Sequence, residues 1–234
     1  MQRRNFNHAG AGLLGLLVLA AYRHAHALSL GDLTNAEASN GLKTALEKGA
    51  LMAVALLGKP DGFLGNPKVR IGLPGYLEDA SKLLKNFGQG KRIDELVIAI
   101  NRAAESAVPM GKDLLVGAVR SMNVNDAKNI LTGGDTSVTT FFADRTRAPL
   151  GIKFLPVVNQ ATEKVGLASK YNEFAGRAAS FGLVKKEDAN IQQYVTGRAL
   201  DGLYLLIGEE ERKIRQNPVG TGSAIVQKVF GALK

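Results

Sequence analysis

The chain has 234 residues, 45% of them apolar, with 30 Lys and Arg against 21 Asp and Glu for a net charge of +9, and it contains no Cys and no Trp. The lack of Cys excludes a disulfide framework, a thiolate nucleophile and Cys-based zinc sites, so stability has to come from a buried core. The positive charge forms no long basic block and is not interleaved with aromatics, which argues against nucleic acid as a partner.

The first segment reads as an export signal. MQRRNFNH carries Arg3 and Arg4 without an acid, an apolar run follows from Ala9 to Ala21, and Ala25-His26-Ala27 supplies a small-x-small cleavage site. The run is about 13 residues, short of the roughly 20 that a membrane span needs. Arg3-Arg4 followed by Asn5 and Phe6 also fits a twin-arginine signal, and the basic Arg23 before the cleavage site leans the same way; an ordinary secretory signal explains the same residues. The expectation is a cleaved signal peptide over 1–27, a periplasmic or secreted location, and one all-helical domain over 28–234. All three histidines, His8, His24 and His26, lie in the leader. A mature chain without His excludes Ser-His-Asp and Cys-His nucleophile systems within one chain. Its remaining positive charge favours anionic partners of the envelope, such as lipid head groups or cell-wall polymers, or serves solubility alone.

Apolar residues recur at helical spacing almost throughout, and alternating strand runs are missing. Leu42, Leu46, Ala50, Ala53 and Leu57 predict a first helix from about Asn35 to Gly58, capped by Asp32, Thr34 or Asn35. Its second half, ALMAVALL, is apolar all round and predicts burial on every side. The stretch GKPDGFLGNPKVRIGLPG, residues 58–75, is too rich in Gly and Pro for a helix and is read as an irregular loop, with a short hairpin allowed around Lys68 to Ile71. Helices are expected over 75–87, Arg92–Ala107 and onward after Pro109 to Met122. A short one, capped by Asn123 or Asn125, ends near Leu131. Further helices are expected over Asp135–Arg147, Pro149–Val165, Leu167–Phe181, Glu187–Gln216 and Gly222–Leu233. The fold class is all-α, a single-domain bundle of roughly eight or nine helices.

Several segments invite a functional reading. ILTGGDTSVTTFF, residues 130–142, resembles a phosphate loop but lacks the Lys or Arg that a phosphate cradle wants, and Asp135 occupies the anion's place. It reads as a helix junction, with Gly133 as a left-handed helix stop. Gly220, Thr221, Gly222 and Ser223, ahead of the last helix and without a nearby acid, are the better anion-binding candidates, unless Thr221 or Ser223 is a plain cap. Phe63, Leu64, Val69, Ile71 and Leu73 put apolar side chains on the 58–75 loop. They form either the rim of a ligand site or a loop packed onto the core. Glu95, Arg102 and Glu105, with Asp94 and Asn101, are the densest polar set beside an apolar stripe and are weak candidates for acid-base work. Glu209, Glu210 and Glu211 point three ways around a helix and cannot share one metal; Glu209 and Lys213 predict a surface pair on a solvated face. No metal site and no cofactor is expected.

With these segments in view, the chain resembles an exported bacterial family of helical proteins classed as a domain of unknown function. The likeness is carried by LSLGDLTNAEASNGLK, GKPDGFLGNPKVRIGLPG, NILTGGD, KFLPVVNQATEKVGLASKYN and ALDGLYLLIGEEERKIRQNPVGTGSAIVQKVFG. The resemblance implies a helical, envelope-associated protein and brings no reaction and no catalytic residues. The functional expectation is a non-enzymatic periplasmic protein that binds an apolar or amphipathic ligand, a lipid for example, or an envelope protein. A carboxylate-based hydrolase of cell-wall or phosphate substrates and an oligomeric scaffold are the alternatives, and the oligomeric state is left open.

Overall fold

The structure is a computed structural model, and it describes residues 34–75, 90–134, 136–163 and 189–231, with isolated positions 169, 171, 172, 175 and 180. Every regular element among the described residues is helical: α1 Asn35–Leu57, α2 Gly90–Ala107, α3 Lys112–Arg120, α4 Val124–Thr132, α5 Ser137–Glu163, α6 Ile191–Gln216 and α7 Ala224–Gly231. Two 3-10 turns, Val108–Gly111 and Pro218–Thr221, link α2 to α3 and α6 to α7. The helices expected over 75–87 and 167–181, and a start at Glu187, fall almost wholly outside the described residues, so these elements are not a count of the whole bundle.

α1 begins where Thr34 Oγ1 accepts the Glu37 amide and the Glu37 carboxylate accepts the Thr34 amide, a reciprocal cap that selects Thr34 among the candidates. From there its buried residues, Leu42, Ala45, Leu46, Gly49, Ala50, Ala53 and Leu57, step by threes and fours toward α6, α7, α3 and α4. The expectation of burial on every side does not hold. Met52 is 52% exposed and Ala55, three residues on, is exposed as well, because the neighbouring helices cover only part of the circumference.

α5 overturns a second expectation. The two helices expected over 135–147 and 149–165 are one continuous 27-residue helix that runs through Pro149, and Pro156 lies inside it as expected. Each proline removes a hydrogen bond to the carbonyl four residues back, at Arg145 and Ile152. Those positions and the prolines fall on one exposed or half-exposed face, where water reaches the freed carbonyls. The opposite face, Val138, Phe142, Thr146, Leu150, Phe154 and Val158, runs unbroken into the core. Burial of that stripe against α6 and α2 outweighs two lost hydrogen bonds, since each large side chain contributes about 1.5–3 kcal/mol.

α6 buries Ile191, Val195, Leu203, Leu206 and Ile207, while Tyr194 is half-buried. Its acidic end is not a solvated face. Glu210 and Glu211 are buried and pair with Lys213 at 2.5 Å and Arg215 at 2.8 Å, and Glu209 reaches Lys68 at 2.8 Å instead of Lys213. The turn at 66–70, where the Val69 and Arg70 amides both donate to the Asn66 carbonyl, replaces the hairpin considered for that stretch. Gly133 is extended, with φ −76° and ψ 162°, rather than left-handed.

Candidate functional site

The loop over 58–75 is held down by polar residues of α2. Glu105, nearly fully buried, accepts the amides of Phe63 at 3.0 Å and Leu64 at 3.1 Å through Oε1. Its Oε2 accepts from Arg102 at 2.7 Å, and the same guanidinium donates to Asp61 at 2.8 Å. These two carboxylates raise the Arg102 pKa above its ordinary value. Asn101, fully buried, accepts the Ile71 amide at 2.9 Å and donates to the Ile71 carbonyl at 2.8 Å, completing that residue's backbone hydrogen bonding as a strand neighbour would. Tyr194 donates its hydroxyl to the Gly72 carbonyl at 3.2 Å. Asp61 has a left-handed φ of 65°, and a side chain on the following Gly62 would meet the Leu57 carbonyl at 2.4 Å, so the loop leaves α1 through a turn that only glycine fits.

This anchoring decides where the loop's apolar residues go. Phe63, Val69 and Ile71 are buried in the main core, Leu73 is half-buried against it, and Leu64 is half-buried. Their placement is that of a loop packed onto the bundle, with Val69 alone also touching a surface hollow. That hollow, of about 160 Å³, lies between the 68–70 turn and α6, beside Arg70, Arg198, Asp201 and Leu205.

A larger cleft separates α4 from α5. It has a volume of about 500 Å³ and an apolar floor of Ile130 and Phe141. Asp126, Asn129, Thr140, Asp144 and Arg145 form its walls. Arg145 is fixed twice, by Asp126 at 2.8 Å and by the face of the Phe141 ring at 4.7 Å. On the far side of Arg145 a second hollow, about 320 Å³, continues along α3 past Leu114 and Ser121 to Thr146. Thr146 closes the polar layer beneath: its hydroxyl donates to the Phe142 carbonyl at 2.6 Å and lies 2.9 Å from the hydroxyl of Tyr204. Burial pushes the Tyr204 phenol above its usual range, against the opposing pull of that hydrogen bond.

Residues 32–231 match the family described as "Protein of unknown function (DUF4197)". The chain belongs to this family. It is the kind of family, helical and without an assigned function, that the quoted segments resemble. No curated protein and no solved structure matches the chain.

The candidates singled out in the sequence are only partly brought together. Arg102 and Glu105 pair, but Glu95 is exposed and about 15 Å from Glu105 along the axis at 1.5 Å per residue, so the two carboxylates do not meet at one site. Glu105 spends its oxygens on two amides and a guanidinium, which is the work of an anchor. At the other candidate, the Gly220 amide donates to Asn217 Oδ1 at 3.3 Å, Gly222 to the Val219 carbonyl at 3.2 Å, and Ser223 to Thr221 Oγ1 at 3.3 Å. Lys48 donates to the Thr221 carbonyl at 2.7 Å. Amides that face an anion are thereby turned inward to the chain's own acceptors. Among the described residues no group of three His, Cys, Asp or Glu is placed to hold a metal ion, and no helix is long and apolar enough to cross a membrane.

Sequence reasoning missed all three cavities. The signal for the α4–α5 cleft was present in the spacing: Asp126, Asn129 and Ile130 on one helix and Ser137, Thr140, Phe141 and Asp144 on the next repeat at three and four, giving two faces of mixed polarity on either side of a short junction.

Proposed function

We propose that this protein is an exported, non-enzymatic binding protein whose ligand is a small amphipathic molecule held in the α4–α5 cleft. The observation that carries the reading is the cleft itself. A volume of about 500 Å³ falls within the roughly 300–1,000 Å³ usual for ligand pockets, and its make-up, an apolar floor with a few fixed polar groups, is the usual one. Export rests on the leader-like residues 1–27, and the non-enzymatic reading on a chain without Cys whose histidines all lie in that leader. Two carboxylates, Asp126 and Asp144, flank a single guanidinium, Arg145, so the cleft favours an uncharged head group over an anionic one.

The test is native mass spectrometry of the protein purified from its own cell envelope, followed by thermal-shift titration with a neutral monoacylglycerol and with oleate. The expected result is a co-purifying amphiphile, a larger shift for the monoacylglycerol, and loss of both in Thr140→Trp, which fills the cleft from an exposed position. An empty protein, no shift with either probe, and a Thr140→Trp variant indistinguishable from wild type would overturn the proposal.

A further inference from the structure

The hollow between the 68–70 turn and α6 has a charge pattern of its own and owes nothing to the α4–α5 cleft. Four cationic side chains, Lys68, Arg70, Arg147 and Arg198, gather around two carboxylates, Asp201 and Glu209. The carboxylates are already committed. Glu209 accepts from Lys68 at 2.8 Å, and Asp201 accepts from Arg147 at 2.5 Å through one oxygen and stands 3.9 Å from Arg198 through the other. Arg198 is thus held at the outer limit of an ion pair. Arg70, exposed, has no ion pair among the described residues. Two guanidiniums of one hollow, from two separate elements, are therefore left with most of their donors unspent.

The elements that carry them are fixed. The turn is closed by the Val69 and Arg70 amides on the Asn66 carbonyl and by the Lys68 amide on Asn66 Oδ1 at 3.1 Å, and the next residue, Ile71, is pinned to Asn101. It lies directly on α6 because Gly202 has no side chain: a Cβ there would come within 2.9 Å of Phe63 and 3.2 Å of Val69. Arg70 and Arg198 thus line one gap between fixed elements. A gap of about 160 Å³ is too small for a drug-sized molecule, for which roughly 300 Å³ is the lower end, and suits a compact anion. Planar guanidinium forks match the paired oxygens of a phosphate.

We infer that Arg70 and Arg198 form a binding site for a phosphate-class anion, either free or as the head group of a phosphomonoester lipid. The experiment uses the protein without its leader segment. Inorganic phosphate is titrated by calorimetry, and binding to vesicles of phosphatidylcholine with and without phosphatidic acid is followed by flotation, for wild type, Arg70→Ser, Arg198→Ser and the exposed control Lys153→Ser. Binding of inorganic phosphate that weakens at least fivefold in both arginine variants and is unchanged in Lys153→Ser establishes a site for the free anion. Binding only to vesicles with phosphatidic acid, with the same dependence on the arginines, establishes the head group. Wild type that binds neither probe, or an equal loss in Lys153→Ser, overturns the inference. Melting temperatures within a degree of wild type are expected for all three variants, because each side chain is exposed or sits at the surface.

Discussion

Phe63 donates its backbone amide to the carboxylate of Glu105, 42 residues away in the chain and fully inside the protein. This bond, shared with Leu64, turns an irregular segment into part of the core. Without an acceptor at position 105 the loop would leave one buried and one part-buried amide with no partner, the buried one at a cost of about 1–3 kcal/mol. Glu105→Ala should therefore lose about 3 kcal/mol in urea unfolding with an unchanged slope, and Glu105→Gln, which keeps one acceptor oxygen, about half as much. A Glu105→Ala variant within 0.5 kcal/mol of wild type would show that the loop is not anchored this way.

Two helical glycines should respond in opposite directions. At Gly202 an added methyl presses on Phe63 and Val69, both buried, and Gly202→Ala should destabilise by about 1–3 kcal/mol. At Gly49 the nearest atoms, on Glu211, Glu210 and Ile207, stand at 3.6–3.7 Å, which is ordinary contact. Gly49→Ala should gain about 0.5–1 kcal/mol, since alanine loses less backbone freedom in a helix. Thermal melts of both variants check the pair; the same sign for both would contradict the packing of α6 against the 63–69 loop and α1.

The N-terminus of α1 is tied to α7 by Lys228, whose ammonium lies 2.6 Å from Glu37. That hydrogen bond, followed by those from the Thr34 amide and hydroxyl, holds the Glu37 carboxyl at about 2. An unfolded glutamate titrates near 4.3, so the folded state prefers the ionised form. The stability this contributes is complete above the unfolded value and is lost as pH falls from there toward 2. Lys228→Met should be less stable than wild type at pH 6, with a gap that narrows below pH 4.5 and nearly closes by pH 2. Both side chains are about one-third exposed, so the gap is small and should shrink further in high salt. A difference that does not change across this range would break the link to Glu37.

The site residues were less legible than the helices, and for a definite reason. Asn101 and Glu105 stand four apart on the apolar face of α2, among Ile100, Ala103 and Ala104, and that spacing placed them side by side. What they serve was not readable, because their partners are backbone amides, which every residue but proline carries. Arg70 and Arg198 were invisible as a pair since 128 positions separate them and nothing in either neighbourhood names the other.

The amino-acid sequence alone determined the helical class, because a period near 3.6 in the apolar residues persists from Asn35 to Phe230 and no run alternates as a strand would. It narrowed the start of α4 to Asn123 or Asn125, of which Asn123 is the cap, since capping is a contact between near neighbours. Tertiary structure decided whatever depends on partners distant in the chain. It kept α5 whole through Pro149 and Pro156, buried Glu210 and Glu211 beside their cations, and folded the 58–75 loop onto α2 and α6. Local preferences amount to about a kcal/mol per residue, up to about 3 for proline, whereas burying a helix face sums several such amounts. Packing prevails wherever the two disagree.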